Sequence, residues 1–228
     1  MAVTVAEQVA AGHARLAALI AELTDEQAHA DSALPGWSRG HVLTHLAELA
    51  RAFVRQVEYA LAGKVIEVYD GGRPARDAAI EAGAGRDAAD LRAALLTANS
   101  DLERAWSGLT VADWARPVSY RDGTLLDTAY ARWRETEIHN ADLALGYRST
   151  DFSVDFCSYL IDFLVARIPA GTRLTVIAED TGFRRVLGVG SPVEVRGQLT
   201  DLAAWLAGRS TVRPLRTAGT VPELGPWP

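Results

Sequence analysis

The sequence predicts an α plus α+β protein: a four-helix bundle over residues 1–148, joined to a small α+β domain over residues 149–228. Three observations carry this reading. Apolar residues recur at helical spacing through alanine-rich stretches as far as Leu145. The polar run Tyr147-Arg148-Ser149-Thr150-Asp151 then breaks the pattern. Beyond it, Arg173-Leu174-Thr175-Val176-Ile177-Ala178 alternates polar and apolar residues as a strand does.

Taken in order, Val5, Val9, Leu16, Leu19, Ile20 and Leu23 mark one face of a first helix from Val3 to about Leu23. Pro35-Gly36-Trp37-Ser38 is a turn with Ser38 as N-cap, and a second helix follows to about Ala62 along Val42, Leu46, Leu49, Phe53 and Val57. Tyr69-Asp70-Gly71-Gly72-Arg73-Pro74 is a loop, after which helix resumes from Ala75 to Ala82. A further helix covers about Asp87 to Leu109. Arg116 to Tyr120 reads as a short extended piece closed by Asp122-Gly123. Thr124 and Asp127 form a variant capping box that starts a helix reaching Leu145, with Gly146 as its cap. In the second domain a helix from Val154 to Arg167 precedes strands at 173–178, 183–189 and 192–196. A short helix over 200–206 and an edge strand near Val212 to Arg216 complete it.

The formal net charge of −6 offers no basic excess to displace counterions from phosphates, which argues against a nucleic-acid partner. One cysteine, Cys157, excludes an intramolecular disulfide and a cysteine-based zinc finger and suits a reducing cytoplasm. Its apolar neighbours Phe156, Leu160 and Ile161 make it a buried, inert thiol. The start Met1-Ala2-Val3-Thr4 lacks a basic segment followed by an apolar run, and no apolar stretch is long enough to cross a bilayer. The expectation is a cytoplasmic protein with no membrane partner.

The chemistry gathers in Arg132-Trp133-Arg134-Glu135-Thr136-Glu137-Ile138-His139. Glu135 and His139 are four apart, so on a helix they share a face and aim at one point. A third ligand has to come from elsewhere. Gly40-His41-Val42-Leu43-Thr44-His45-Leu46 is the donor stretch; His45 borders the apolar line through Leu49, whereas His41 lies nearer the helix start and solvent. The expectation is a metal held by His45, Glu135 and His139, with coordination positions left open for chemistry. Zinc and non-haem iron both accept two histidines and a carboxylate. Glu137 points to the opposite side, and His13 and His29, isolated in polar settings, read as surface residues.

Leu34-Pro35-Gly36-Trp37-Ser38-Arg39-Gly40-His41-Val42-Leu43-Thr44-His45-Leu46-Ala47 and Arg134-Glu135-Thr136-Glu137-Ile138-His139-Asn140-Ala141-Asp142-Leu143 resemble the two signature stretches of the mycothiol-dependent maleylpyruvate isomerase family. Val195 to Arg209 is similar to that family's second domain. The resemblance implies a DinB-like metal-binding bundle over 1–148 and a sterol-carrier-like α+β domain over 149–228. It also implies Zn2+, or another divalent metal, on His45, Glu135 and His139, with the low-molecular-weight thiol mycothiol as cofactor. The implied reaction turns maleylpyruvate, a small dicarboxylate, into fumarylpyruvate in aromatic degradation: a thiolate adds to the cis double bond, the resulting enolate rotates, and the thiol leaves. A cation should hold the dicarboxylate; the family's active-site arginine matches Arg76, with Arg73 the alternative. The same ligands would serve a mycothiol S-transferase. A third reading, from another class, is a non-enzymatic module that carries an apolar ligand.

Overall fold

The computed structural model describes residues 2–228, with side chains from Val5 onward. The chain divides into two compact units, Met1–Tyr147 and Arg148–Pro228. The first contains α1 (Ala2–Leu19), α2 (Asp25–His29), α3 (Arg39–Leu61), α4 (Gly72–Ala84), α5 (Ala88–Ser107) and α6 (Leu125–Asp142). α3 packs on α4, α5 and α6, and α1 packs on α5 and α6, so α1, α3, α5 and α6 form the bundle. Leu16, Ile20, Leu46, Phe53, Leu95 and Leu125 are among the side chains sealed in its core.

Four local expectations change. Gly72, Arg73 and Pro74, read as loop, already belong to α4, which runs to Ala84. The first helix stops at Leu19 because Thr24 and Gln27 form a capping box of their own, with Thr24 N–H donating to Gln27 Oε1 at 3.1 Å, and this starts α2. The stretch 116–120 contributes only a bridge between Pro117 and Thr124, flanked by 3-10 turns at Asp113–Ala115 and Tyr120–Asp122. α6 ends at Asp142 rather than Leu145, since Ala144 already turns left-handed at φ 53°. Its start is as expected: the Asp127 carboxylate accepts from both the backbone and the hydroxyl of Thr124 at 2.7 Å.

Two glycines let α4 lie against α3. A Cβ on Gly40 would stand 2.1 Å from the Ala84 carbonyl oxygen, and one on Gly83 would stand 2.6 Å from Thr44 Cγ2. Contacts that short are repulsive, so only hydrogen at both positions allows this approach. It brings Arg76 of α4 up to His45 of α3.

α6 is buried on nearly every side. Its polar side chains therefore need partners inside the unit. Glu137 accepts from Arg15 at 2.8 Å and from the Tyr147 hydroxyl at 2.5 Å. Arg132, fully buried, donates to His13, the Leu46 carbonyl and Asn99.

The second unit has α7 (Val154–Phe163) with a 3-10 turn over Leu164–Arg167, strands β1 (Gly171–Ala178), β2 (Arg184–Gly188) and β3 (Gly190–Gly197), and α8 (Leu199–Leu206). The sheet order is β2-β1-β3; β2 runs antiparallel to β1, and β3 runs parallel to it from Gly171 opposite Gly190 to Ala178 opposite Gly197. Alternate residues Leu174, Val176 and Ala178 are buried. The expected strand at 212–216 is reduced to one bridge, Arg196 to Arg216. Asp201, buried on α8, accepts from the backbone of Val212 and Arg213 and so holds that segment as a turn. Cys157 is buried on α7. No helix among the described residues is long and apolar enough to cross a membrane.

Candidate metal centre

Packing of α3 against α6 brings His45 to the face of α6 that carries Glu135 and His139. His45 Nε2 lies 3.1 Å from Glu135 Oε2, and His139 Nε2 lies 3.3 Å from the same oxygen. One ligand atom from each of the three side chains falls within 4.8 Å of the others, the one such His/Cys/Asp/Glu group among the described residues. The two imidazoles meet edge to face, centroids 5.0 Å apart. Trp37, just ahead of the Ser38 cap, sets its ring edge against His45 at 5.7 Å. His45 is buried, and Glu135 keeps 20% of its side-chain surface exposed.

Burial pushes the His45 imidazole down to about 4, against the opposing pull of Glu135. His139 goes the other way: burial disfavours its charge, but the carboxylates of Asp142 and Glu135 outweigh that and hold it up at about 9. Glu135 is likewise opposed by burial, yet hydrogen bonds from His139 and His45 keep it well below the usual carboxylate range.

Hydrogen bonds set the ring orientations. Asp142 Oδ2 lies 2.9 Å from His139 Nδ1, so the carboxylate accepts a hydrogen bond from Nδ1–H and Nε2 is the nitrogen that faces the centre. Arg76 Nη2 lies 3.1 Å from His45 Nδ1. A guanidinium only donates, so His45 Nδ1 accepts and its Nε2 carries the hydrogen that faces Glu135. Tyr69 completes this side; burial raises its phenol pKa, and the Arg76 guanidinium lies 5.8 Å from its ring centroid.

The other candidates fall outside the cluster. His41 is the third residue of α3 and is used in its cap, with Nδ1 2.7 Å from Ser38 Oγ. Arg73 is exposed, and the contact with His45 is made by Arg76. Glu137 points away to Arg15 and Tyr147. His29 is exposed as expected, but His13 is not: only 4% of it is exposed, and it joins Arg132 to Glu103. Asp142, Trp37 and Tyr69 are the neighbours that spacing alone did not single out. Asp142 carries a readable signal, since it follows His139 by three residues on the same helical face.

A helical bundle that turns two imidazoles and a carboxylate toward one point, with a small α+β unit after it in the chain, defines the class: helical-bundle proteins with a candidate metal site and an appended second unit. The particular family follows from the comparisons. A model described as the mycothiol maleylpyruvate isomerase N-terminal domain matches residues 9–144, and one for the C-terminal domain of the same isomerases matches residues 151–226. The chain belongs to the mycothiol-dependent maleylpyruvate isomerase family, a family of enzymes. It is also similar in fold to the crystal structure of a mycothiol-dependent maleylpyruvate isomerase, at 22% identity, TM-score 0.88, and coverage of 100% of this chain and 97% of that one. A histidine-to-alanine mutant of such an isomerase matches at TM-score 0.89 with the same identity and coverage. No curated protein matches closely enough to add to this.

Proposed function

We propose that the chain is a zinc- and mycothiol-dependent cis-trans isomerase of maleylpyruvate or a similar unsaturated dicarboxylate. The observation that carries this reading is the convergence of His45, Glu135 and His139, with donor separations of 3.1 and 3.3 Å. Ligands about 2.0–2.1 Å from a tetrahedral ion stand about 3.3 Å from one another, so the two separations from Glu135 suit zinc, and the remaining pair lies within 4.8 Å. The Asp142–His139 hydrogen bond is the outer-shell arrangement such a histidine ligand needs. A cation would have to displace the Nε2 proton of His139, and one contact has to change as well. A cation on His45 Nε2 requires the ring proton at Nδ1, and the Arg76 guanidinium must then leave that nitrogen.

A bound zinc would supply a Lewis acid that lowers the pKa of a coordinated thiol. The residues do the rest. Glu135 and His139 fix the place of the ion, and Asp142 keeps His139 in the ligating tautomer. Arg76, displaced from His45, is placed to take a substrate carboxylate and to hold the negative charge that develops when a thiolate adds to the double bond. The reading assigns metal binding to residues 1–148 and leaves the α+β unit, sterol-carrier-like by resemblance, without a ligand. A cytoplasmic setting fits a thiol cofactor and a chain with one cysteine.

The test is metal analysis followed by turnover. Purified protein should carry about one zinc per chain, and His45→Ala should lower metal affinity by more than the roughly 10–100-fold that loss of an outer-shell partner costs. With maleylpyruvate, turnover should require mycothiol and leave it unconsumed; stoichiometric consumption would mark an S-transferase. A folded wild type that takes up no metal would defeat both enzyme readings.

A further inference from the structure

Arg76 also lines a cleft of about 210 Å³, together with Glu48, Arg51 and Arg55 of α3 and with Tyr69 and Asp70 of the loop before α4. His45, Glu48, Ala52 and Arg55 follow one another along the same face of α3. The cleft therefore continues the face that carries His45. Six residues on from His45, Arg51 stands about 9 Å along the helix axis, and Arg55 about 15 Å. The Arg55 guanidinium donates to the Val68 carbonyl and the Arg76 guanidinium lies 5.8 Å from the Tyr69 ring centroid, so the two cations flank consecutive residues of one segment.

Charge in this cleft runs against that of the whole chain. Three arginines face two carboxylates there, although the chain has a formal net charge of −6. Glu48 is matched by its ion pair with Arg51. Asp70 is 96% exposed and 3.9 Å from Arg55, so water screens it. Arg55 is held in place: its Nη1 donates to the carbonyls of Glu67 at 3.1 Å and Val68 at 3.3 Å. The bonds to these carbonyls pin one edge of the guanidinium fork to the loop. They do not neutralise its charge. Arg55 is thus a pre-oriented cation in a concave site, which is what recognition of a carboxylate calls for.

We propose that this cleft is a carboxylate subsite in which Arg55 takes the end of a dicarboxylate remote from the reacting bond, while Arg76 takes the end beside the metal centre. The proposal rests on the isomerase reading for what the ligand is, and it adds Arg55 as the residue that selects diacids over monoacids.

Binding without turnover tests it. Purified full-length protein is titrated calorimetrically with pimelate, an unreactive diacid, and with monomethyl pimelate. Wild type should prefer the diacid by about tenfold. Arg55→Gln should lose that preference while keeping its affinity for the half-ester within about twofold. Equal weakening of both ligands would make Arg55 a strut of the 67–68 segment and overturn the proposal, as would a wild type that does not discriminate. If Arg55→Gln does not fold, Arg55→Lys, which keeps the charge and loses the fork, carries the same comparison. A chain that prefers diacids through Arg55 yet isomerises nothing would remove the isomerase reading and keep the subsite. An active isomerase whose KM is unmoved by the substitution would do the reverse.

Discussion

One turn of α6 separates two clusters made from the same materials, and they end in opposite states. Around Arg132, every partner is already placed: Nε donates to His13 Nε2 at 2.9 Å, Nη1 to the Leu46 carbonyl at 2.8 Å, and Nη2 to Asn99 Oδ1 at 2.5 Å. Because arginine only donates, His13 Nε2 accepts, and its Nδ1 hydrogen goes on to Glu103 at 2.7 Å. Both ring nitrogens of His13 are used. Around Glu135, by contrast, two imidazole nitrogens crowd a single carboxylate oxygen, and the carboxylate keeps some exposure. Histidine and carboxylate buried together thus mark a ligand site only when their potential ligand atoms converge on one point; when each ring nitrogen has its own separate partner, they hold the core.

The comparison breaks most visibly at Arg132. Arg132→Ala removes the largest fully buried side chain and orphans the acceptors on Asn99 and His13, so unfolding free energy should fall by about 3–5 kcal/mol. Chemical denaturation measures this. The surviving folded fraction should still bind metal, because no metal-centre donor touches Arg132; loss of metal in folded protein would join the two clusters into one.

The histidine of the closed cluster sharpens the contrast through pH. Burial, aided by the Arg132 charge and opposed by Glu103, pushes His13 down to about 4 from 6.5. Below pH 6.5 the unfolded chain takes up a proton that the folded chain refuses, so this stabilisation is complete above that pH and is lost as pH falls toward 4. The full effect is about 3 kcal/mol. Denaturation series between pH 7 and 4 should show a steeper fall for wild type than for His13→Asn. Parallel curves would mean that His13 protonates freely in the folded state.

Much of this was legible in the sequence, and what was not shares a cause. Helical periodicity and the Ser38 and Thr124 caps place α3 and α6, and the four-residue interval puts Glu135 and His139 on one face; these are local facts. His13 reads as a surface residue because nothing within a turn of it is charged to match. Its burial comes from Arg132, 119 positions away, and no local pattern encodes that contact. The glycine pair that lets α4 approach α3 is similarly silent, since Gly40 and Gly83 look like weak helix formers until the Ala84 carbonyl is in view. The end of α6 is lost for a smaller reason: Ala144 adopts a left-handed turn that glycine would have announced.

A milder intervention tests whether the open cluster depends on its supports. Asp142→Asn keeps the size of the side chain but weakens the hydrogen bond that fixes the His139 tautomer. Zinc affinity, measured against a chelator, should fall by roughly 10–100-fold. Equal affinity would show that α6 alone orients the ring.

Arg76 should have the smallest effect on the metal, with the opposite sign. Its Nη2 holds the proton of His45 away from Nδ1, and zinc at Nε2 needs the proton there. Metal uptake must therefore break this contact, which costs about 1 kcal/mol once water takes up the freed Nη2, with Nη1 staying on Asp77. Arg76→Ala removes the competitor, so zinc should stay at about one per chain and bind several-fold more tightly, while turnover of a dicarboxylate drops at least tenfold. Metal titration and steady-state kinetics on one preparation read the two signs together. Weaker zinc binding would make the guanidinium a support of the centre, and unchanged turnover would take it out of the substrate's path.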